Sequence, residues 1–439
     1  MTQHEAPPHL TPEEAFLWHC ANTWRDPLVP ADSHRLGWAK VVGMARKNRM
    51  QTMLYGYLQG TNLLEQLPEM ARTALEADVA TLKRNASQMA AYLARYLRAA
   101  GARGLETVVL KGLAVSLNVY GNAAMRPGGD IDILVRKGAV EKSLEILDGM
   151  GVGPFWPNLL DDRYYERHHL HQQRCTPDLQ VWFEVHWALD HPLTLLTVGY
   201  DAMLDRTTRG TLLGEPVDDL STPDLILALA LHLVKHALYL PGTVERPDLA
   251  RIILADGMLM YFVDVAEIIK QRANEIAWPL VVELARDWGA VDVLGSVLRI
   301  CHRCLRAPVP PSVLDALPVR GPGPVTRWMM QRVVEYELAT HLGQAPSRLW
   351  EFLLVTNGAF ILRPIRLLDL TSYCFPNRSY LRRRYGSDSP VLAGRHLLRA
   401  AGQYTRLGMD TLYFTLERYR RLKALRQSAS LFNRLDTGG

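Results

Sequence analysis

Apolar residues recur at helical spacing through the N-terminal part of the chain. The pattern predicts a helical region over residues 1–103, with a capping box at Thr11–Glu14. Asp32 is expected to cap the next helix, and one long helix is expected from about Pro68 to Ala100. The apolar run 106–110 that follows predicts the first strand of a sheet.

Short strands and helices alternate over residues 104–220. A helix is expected after the first strand, and a second apolar run begins after Gly128-Gly129. A helix over 138–150, a strand over 180–187 and a hairpin over 206–217 complete the pattern. We therefore predict an α/β (α+β) fold in which a small mixed sheet has flanking helices.

From Ser221 the pattern becomes helical again. Ser221 or Thr222 is expected to cap a helix that has Pro223 in its first turn. A helical bundle that packs on the core is predicted over 221–306, with helices near 222–240, 258–271, 278–288 and 291–306. A proline-rich linker over 307–324 and a basic C-terminal helical region over 325–439 are predicted to follow.

Positive charge is concentrated at the C-terminal end. The chain carries a formal charge of +5, and residues 377–439 contain thirteen Arg or Lys against four Asp or Glu. Such a basic region favours an anionic partner, either a nucleic acid such as tRNA or an anionic lipid surface. A basic helical face that solvates a small bundle, or that docks on the more acidic remainder of the chain, is at least as good an interpretation.

Several protein classes are disfavoured by composition. The N-terminus lacks a basic stretch followed by an apolar one, and no apolar run reaches the roughly 20 residues of a membrane span. Five cysteines do not suggest a disulfide framework in 439 residues, and Cys301-His302-Arg303-Cys304 lacks a second ligand pair for zinc. We expect a cytoplasmic protein without a transmembrane segment.

Asp130-Ile131-Asp132 stands at the head of the second apolar run. In a strand, residues two apart point to the same face, so both carboxylates are expected to project together. Two adjacent carboxylates repel one another unless a cation lies between them. Mg²⁺ suits such a pair, since it often takes its other ligands from substrate phosphates and water. An acidic turn before a strand is the alternative interpretation.

Three motifs in one order resemble a known family. Lys111-Gly112, then a helix, then Arg126 with Asp130-Ile131-Asp132, and finally Glu184-Val185-His186-Trp187 are similar to the uncharacterised nucleotidyltransferase family of bacteria, within the DNA polymerase β superfamily. The resemblance covers most of the chain. It implies a nucleotidyltransferase fold and a Mg²⁺-dependent enzyme that uses a nucleoside triphosphate.

The resemblance also implies residue roles. Asp130, Asp132 and Glu184 would be catalytic and would hold two Mg²⁺ ions, with Glu184 helping to activate the acceptor hydroxyl. A surface glutamate on an edge strand is the alternative for Glu184. Lys111 and Gly112 would bind phosphates, although most superfamily members have Gly-Ser there, so the identity of the nucleotide stays open.

Other candidate positions have weaker support. Arg126 lies four residues before Asp130, so it is a candidate phosphate ligand, and a structural arginine on a loop is an equal alternative. His186, His232 and His236 are candidate pocket-lining residues. The resemblance implies that the helix carrying His232 and His236 borders the nucleotide cleft. Asp264 is expected nearby.

The expected reaction moves a nucleoside monophosphate from a nucleoside triphosphate to a hydroxyl. A small molecule, a peptide or an RNA end can each supply that hydroxyl, and the sequence does not select one. Two alternatives stay open. One is a kinase-like variant that transfers the γ-phosphoryl group, and the other is a non-catalytic nucleotide-binding or partner-docking protein.

Overall fold

The computed structural model describes residues 9–30, 33–154, 170–190, 196–237, 240, 242–321, 378–387, 389–392, 394–398 and 402. The described part is a mixed α/β structure with one small mixed sheet and flanking helices, which confirms the predicted fold class. Most of the predicted C-terminal region lies outside the described residues, as do Asp32 and residues 322–324 of the predicted linker.

The N-terminal part is helical. Its α-helices are α1 (Pro12–Thr23), α2 (Trp38–Lys47), α3 (Gln51–Gly60) and α4 (Glu69–Ala102). The predicted capping box is confirmed, since the Thr11 side chain accepts from the Glu14 N–H and the Glu14 carboxylate accepts from the Thr11 N–H. Helix α2 begins after Gly37 and has no side-chain cap.

The sheet is built from five strands: β1 (Val108–Val109), β2 (Ile131–Leu134), β3 (Gly153–Pro154), β4 (His171–Cys175) and β5 (Trp182–His186). Their order is β1-β2-β5-β4-β3; β2 and β5 are parallel, and the other neighbours are antiparallel. Helix α5 (Leu113–Tyr120) connects β1 to β2, and α6 (Val140–Gly149) follows β2. The central parallel pair sets the register Asp132 to Glu184.

One face of this sheet is apolar. Ile133, Phe183 and Val185 pack with Leu93 and Leu97 of α4 in one buried cluster. The alternation of side chains along a strand turns the intervening positions, which include Asp132 and Glu184, to the other face. Helix α4 therefore covers the apolar face, and the carboxylates of Asp132 and Glu184 lie on the opposite face.

The predicted hairpin is present. It consists of β6 (Thr208–Leu212) and β7 (Glu215–Asp219), preceded by α7 (Tyr200–Asp205). The Asp218 N–H donates to the Thr107 carbonyl, which joins the hairpin to the chain beside β1.

Helices make up the rest of this part of the chain. They are α8 (Thr222–His236), α9 (Leu249–Asp256), α10 (Leu259–Gln271), α11 (Trp278–Asp287), α12 (Val291–Leu305) and α13 (Pro311–Ala316). Ser221 caps α8 as predicted, since its hydroxyl accepts from the Asp224 N–H. Helix α8 ends four residues before the predicted end at 240, and α9 was not predicted. Helix α13 lies within the stretch predicted as a linker.

The chain divides into two compact units. One comprises residues 1–156 and 163–345 and contains all the elements above, and the other comprises 157–162 and 346–439. The second contains α14 (Arg378–Tyr385). The finer division predicted from the sequence stays a prediction. None of the helices in the described residues is both long and apolar enough to cross a membrane.

Candidate active site

Three carboxylates converge on the polar face of the sheet. Asp132 on β2 and Glu184 on β5 are direct register partners, and Asp130 lies in the turn that leads into β2. Ligand oxygens of all three lie within 4.8 Å of one another. Asp132 is buried, whereas Asp130 and Glu184 are half-buried. The structure thus brings together the three residues that the sequence singled out.

Two nitrogen-bearing side chains lie among these carboxylates. Lys111 follows β1, and its Nζ lies 2.5 Å from Asp132 Oδ2 and 3.4 Å from Asp130 Oδ1. His186 lies two residues after Glu184 on β5; its Nε2 is 3.0 Å from Asp132 Oδ1 and 3.2 Å from Glu184 Oε2. The Lys111 charge partly offsets the repulsion between the acids, and His186 is in hydrogen-bond contact with two of them.

The pKa values of the two aspartates are shifted in opposite directions. Desolvation and the neighbouring Asp132 charge raise the pKa of Asp130, and Lys111 opposes them only in part. Desolvation also acts on Asp132, but Lys111 and the hydrogen bond from His186 outweigh it and lower the pKa of that carboxyl. A cation placed between the two would remove the repulsion that Asp130 experiences.

Glu184 is held from the neighbouring strand. Gln173 is its register partner on β4, and the Gln173 amide donates to Glu184 Oε1 at 2.8 Å. His171 Nδ1 lies 3.7 Å from Glu184 Oε2, and the His171 and His186 rings are 4.8 Å apart. These partners, together with His186, outweigh desolvation and hold the pKa of Glu184 well below its usual value. Gln173 was not predicted, since only the register of β4 reveals it.

The turn at Lys111-Gly112 needs glycine. Gly112 has φ 57° and ψ −111°, a conformation that residues with a side chain rarely adopt. A Cβ at this position would lie 3.5 Å from the Asp130 carbonyl oxygen and 3.9 Å from Arg126 Nη1. Helix α5 starts at the next residue. The positive φ, more than crowding around the Cβ position, therefore selects glycine at this turn.

Arg126 is an internal residue. Its side chain is 4% exposed, and Nε lies 2.5 Å from Asp264 Oδ2 on α10. The Tyr120 hydroxyl donates to the other Asp264 oxygen at 2.9 Å. The structure thus gives Arg126 a structural partner, and its contact with phosphates stays a prediction.

Two histidines of α8 lie near enough to Lys111 and Arg126 for both charges to act on them. The rings of His232 and His236 are 4.8 Å apart and lie 5.6 and 5.7 Å from the Tyr261 ring. Desolvation and, after it, the Lys111 charge lower the pKa of His236 to about 4. The same two causes lower the pKa of His232 well below its usual value. Both imidazoles are therefore neutral near pH 7.

The donor set fits a divalent cation. Asp132 Oδ2 is buried and accepts no hydrogen bond of normal geometry from the residues described, although Lys111 contacts it as an ion-pair partner. Three carboxylates at this spacing offer the oxygen ligands that hard cations prefer. His171, Glu184 and His186 form a second group of candidate ligand atoms, which shares Glu184 with the first.

Comparison with known proteins gives one match. A family model described as "Uncharacterised nucleotidyltransferase" matches residues 34–306, which is more than half of the chain and includes all the site residues described above. No curated protein and no solved structure matches the chain.

Proposed function

Because the chain belongs to the uncharacterised nucleotidyltransferase family, we propose that it transfers a nucleoside monophosphate from a nucleoside triphosphate to a hydroxyl group in a Mg²⁺-dependent reaction. The family indicates nucleotidyltransferase activity in general; the ion, the donor and the acceptor class are our proposal. The observation that carries it is the convergence of Asp130, Asp132 and Glu184 beside the Lys111-Gly112 turn.

The three carboxylates would hold the metal. Asp132 extends from β2, Asp130 from the turn that precedes it, and Glu184 from the parallel neighbour β5. Two Mg²⁺ ions would take further ligands from the triphosphate and water. Bound there, the ions would supply a clamp on the attacking and leaving oxygens of an in-line displacement.

Lys111 and Gly112 would bind the donor phosphates. Gly112 permits close approach of a phosphate, and the first N–H groups of α5 offer hydrogen-bond donors to it. Lys111 adds a positive charge at the same turn. His186, His232 and His236 would line the pocket around the nucleotide.

The reaction itself is a displacement at phosphorus. The acceptor oxygen forms a bond to the α-phosphorus, the bond from that phosphorus to the oxygen bridging to the β-phosphate breaks, and pyrophosphate leaves. Glu184 would orient the acceptor hydroxyl, because Gln173 and His171 fix its carboxylate. The proton of the acceptor hydroxyl would pass to solvent.

A thermal-shift experiment tests the site without knowledge of the acceptor. Wild type and Asp132→Asn are melted with each of the four nucleoside triphosphates, with and without Mg²⁺. A ligand at about 100 times its dissociation constant stabilises the folded state by about 2.7 kcal/mol. We expect a Mg²⁺-dependent rise in the melting temperature of wild type that Asp132→Asn loses. Asp201→Asn, at a side chain 88% exposed, is the matched control and should keep the rise.

Labelled nucleotides then test the chemistry. Incubation with α-labelled nucleotide should leave label covalently attached to an acceptor, with release of pyrophosphate. Attachment of γ-label instead would establish the kinase-like alternative. Tight nucleotide binding without transfer of either label, across small-molecule, peptide and RNA acceptors, would contradict an enzymatic role. Adding RNA or anionic vesicles to the full chain tests the predicted anionic partner of the basic C-terminal region.

A further inference from the structure

The turn between α2 and α3 is rigidly built. Asn48 is fully buried, its amide donates to the Leu254 carbonyl at 3.1 Å, and its side-chain oxygen accepts from the Leu259 N–H at 3.1 Å. A Cβ on Gly257 would lie 2.7 Å from the Lys47 carbonyl oxygen, so the two turns are in close contact. The turn from the N-terminal helices is therefore fixed against the start of α10.

This turn presents an arginine in an unusual conformation. Arg49 has φ 58°, a left-handed conformation that costs residues with a side chain about 1–2 kcal/mol. Its side chain is exposed, and among the described residues no carboxylate oxygen lies within 4.0 Å of its guanidinium. Its charge acts on the buried Asp264 carboxylate only from a greater distance. The guanidinium lies 5.2 Å from the centre of the Tyr261 ring, so the fold holds an exposed cation over an aromatic face.

Tyr261 lies between Arg49 and Arg126, and Arg126 lies beside the Lys111-Gly112 turn. The Arg126 guanidinium also lies 5.2 Å from the centre of the Tyr261 ring. Arg126 Nη1 in turn reaches within 3.9 Å of the Cβ position of Gly112. Gly112, Arg126, Tyr261 and Arg49 therefore form a continuous row that starts at the turn beside the carboxylates.

Several cations, Arg49 among them, act on the buried end of α8. After desolvation, the charges of Lys111, Arg49, Lys235 and Arg126 all lower the pKa of His236, so these cations surround one imidazole. Arg126 is neutralised by Asp264, and Lys111 by the site carboxylates. Arg49 is the exposed member of this row, and an anion that binds its guanidinium would not have to break a direct ion pair with a carboxylate of the described residues.

We propose that Arg49 binds the β- and γ-phosphates of the donor nucleotide, and thus the pyrophosphate leaving group. The α-phosphate would lie at Gly112 near the carboxylates, and the phosphate tail would extend past Tyr261 to the guanidinium. The N-terminal helical region therefore supplies a substrate-binding residue to a site formed mainly by the sheet. The identity of the anion rests on the proposed function.

Calorimetric titration of inorganic pyrophosphate with Mg²⁺ into the full-length chain tests the proposal. Arg49→Asn removes the guanidinium and suits the backbone, because asparagine tolerates positive φ. Arg49→Lys keeps the charge without the planar fork. Arg46→Gln is the matched control, because Arg46 lies on the same helix end and pairs with Asp78 at 2.5 Å.

We expect Arg49→Asn to weaken pyrophosphate binding about tenfold, equivalent to about 1.4 kcal/mol, and Arg49→Lys to fall between it and wild type. Arg46→Gln should bind within about twofold of wild type. Equal affinities of wild type and Arg49→Asn would overturn the proposal, as would wild type that fails to bind pyrophosphate. A loss shared equally by Arg46→Gln would also overturn it.

The test separates this proposal from the proposed function. Arg49-dependent pyrophosphate binding in a chain that never transfers α-label would keep the subsite and reject the reaction. Transfer of α-label together with unchanged pyrophosphate binding in Arg49→Asn would keep the reaction and reject the subsite.

Discussion

Replacing Asp264 by asparagine removes the partner of a buried arginine. Asp264 is 1% exposed and Arg126 is 4% exposed, and their contact is 2.5 Å. The carboxylate also accepts from the Tyr120 hydroxyl at 2.9 Å. Asparagine has nearly the same shape, so the change leaves packing intact while the Arg126 charge stays buried without a counter-ion.

The expected cost is large for one substitution. Breaking a buried ion pair by removing one partner costs about 3–5 kcal/mol, since an uncompensated charge remains in the interior. This is a large part of the roughly 5–15 kcal/mol by which folded proteins are stable. At about 2–4 °C per kcal/mol for domains of 150–250 residues, the melting temperature should fall by at least about 6 °C.

Thermal melting by circular dichroism, without nucleotide or metal, measures the effect. Glu65→Gln is the control, because Glu65 pairs with Arg72 at 2.6 Å but is 78% exposed, and a surface pair contributes about 0–1 kcal/mol. If Asp264→Asn melts within the shift of Glu65→Gln, the reasoning is refuted. Adding Arg126→Met to Asp264→Asn should recover part of the loss, because no charge is then buried.

Three further predictions use the same melting assay. Gly257→Ala should destabilise by about 2 kcal/mol or more, because φ is 77° and the added Cβ would meet the Lys47 carbonyl at 2.7 Å, whereas Gly101→Ala, with open space around it, should be neutral or stabilising. Thr11→Ala should cost about 1 kcal/mol by removing the capping box, and an unchanged melting temperature would contradict that role. Desolvation and then the Lys111 charge lower the pKa of folded His236 to about 4, below the unfolded value of about 6.5, so the unfolded chain binds more protons between these values. The stability due to neutral His236 is therefore complete above about pH 6.5 and lost towards pH 4, and His236→Asn should show a smaller acid-induced fall in melting temperature than wild type.

Local patterns predicted the central part of the site because its residues follow strand geometry. Asp130 and Asp132 lie on one short segment, and Glu184 lies at strand spacing from His186. The order of the motifs then placed the two segments in one sheet. The parallel register that sets Asp132 opposite Glu184 is a tertiary feature, since 52 positions separate the two residues and no local pattern fixes their pairing.

Other parts of the site depend on contacts that no local pattern encodes. Asp264 and Arg126 are 138 positions apart, and Tyr120 meets Asp264 across 144 positions. Arg49 gave no signal because a single arginine after a helix is ordinary in sequence. Only its positive φ and its place over Tyr261 distinguish it. Helix α9 was missed because its eight residues are mostly apolar, and such short runs do not separate helix from strand.

Charge balance explains why metal and donor would bind together in the proposed reaction. In the described residues, Lys111, His171 and His186 contact the acids, and Lys111 lies 2.5 Å from Asp132 Oδ2. If Asp130 and Asp132 held a divalent ion, they would no longer depend on Lys111 for charge balance, and the ammonium would be free to bind an anion. The released group would stand at the Gly112 turn, where the donor phosphates that accompany the ion need a counter-charge. Neither ion nor donor alone satisfies both Lys111 and the carboxylates, so each would favour the binding of the other.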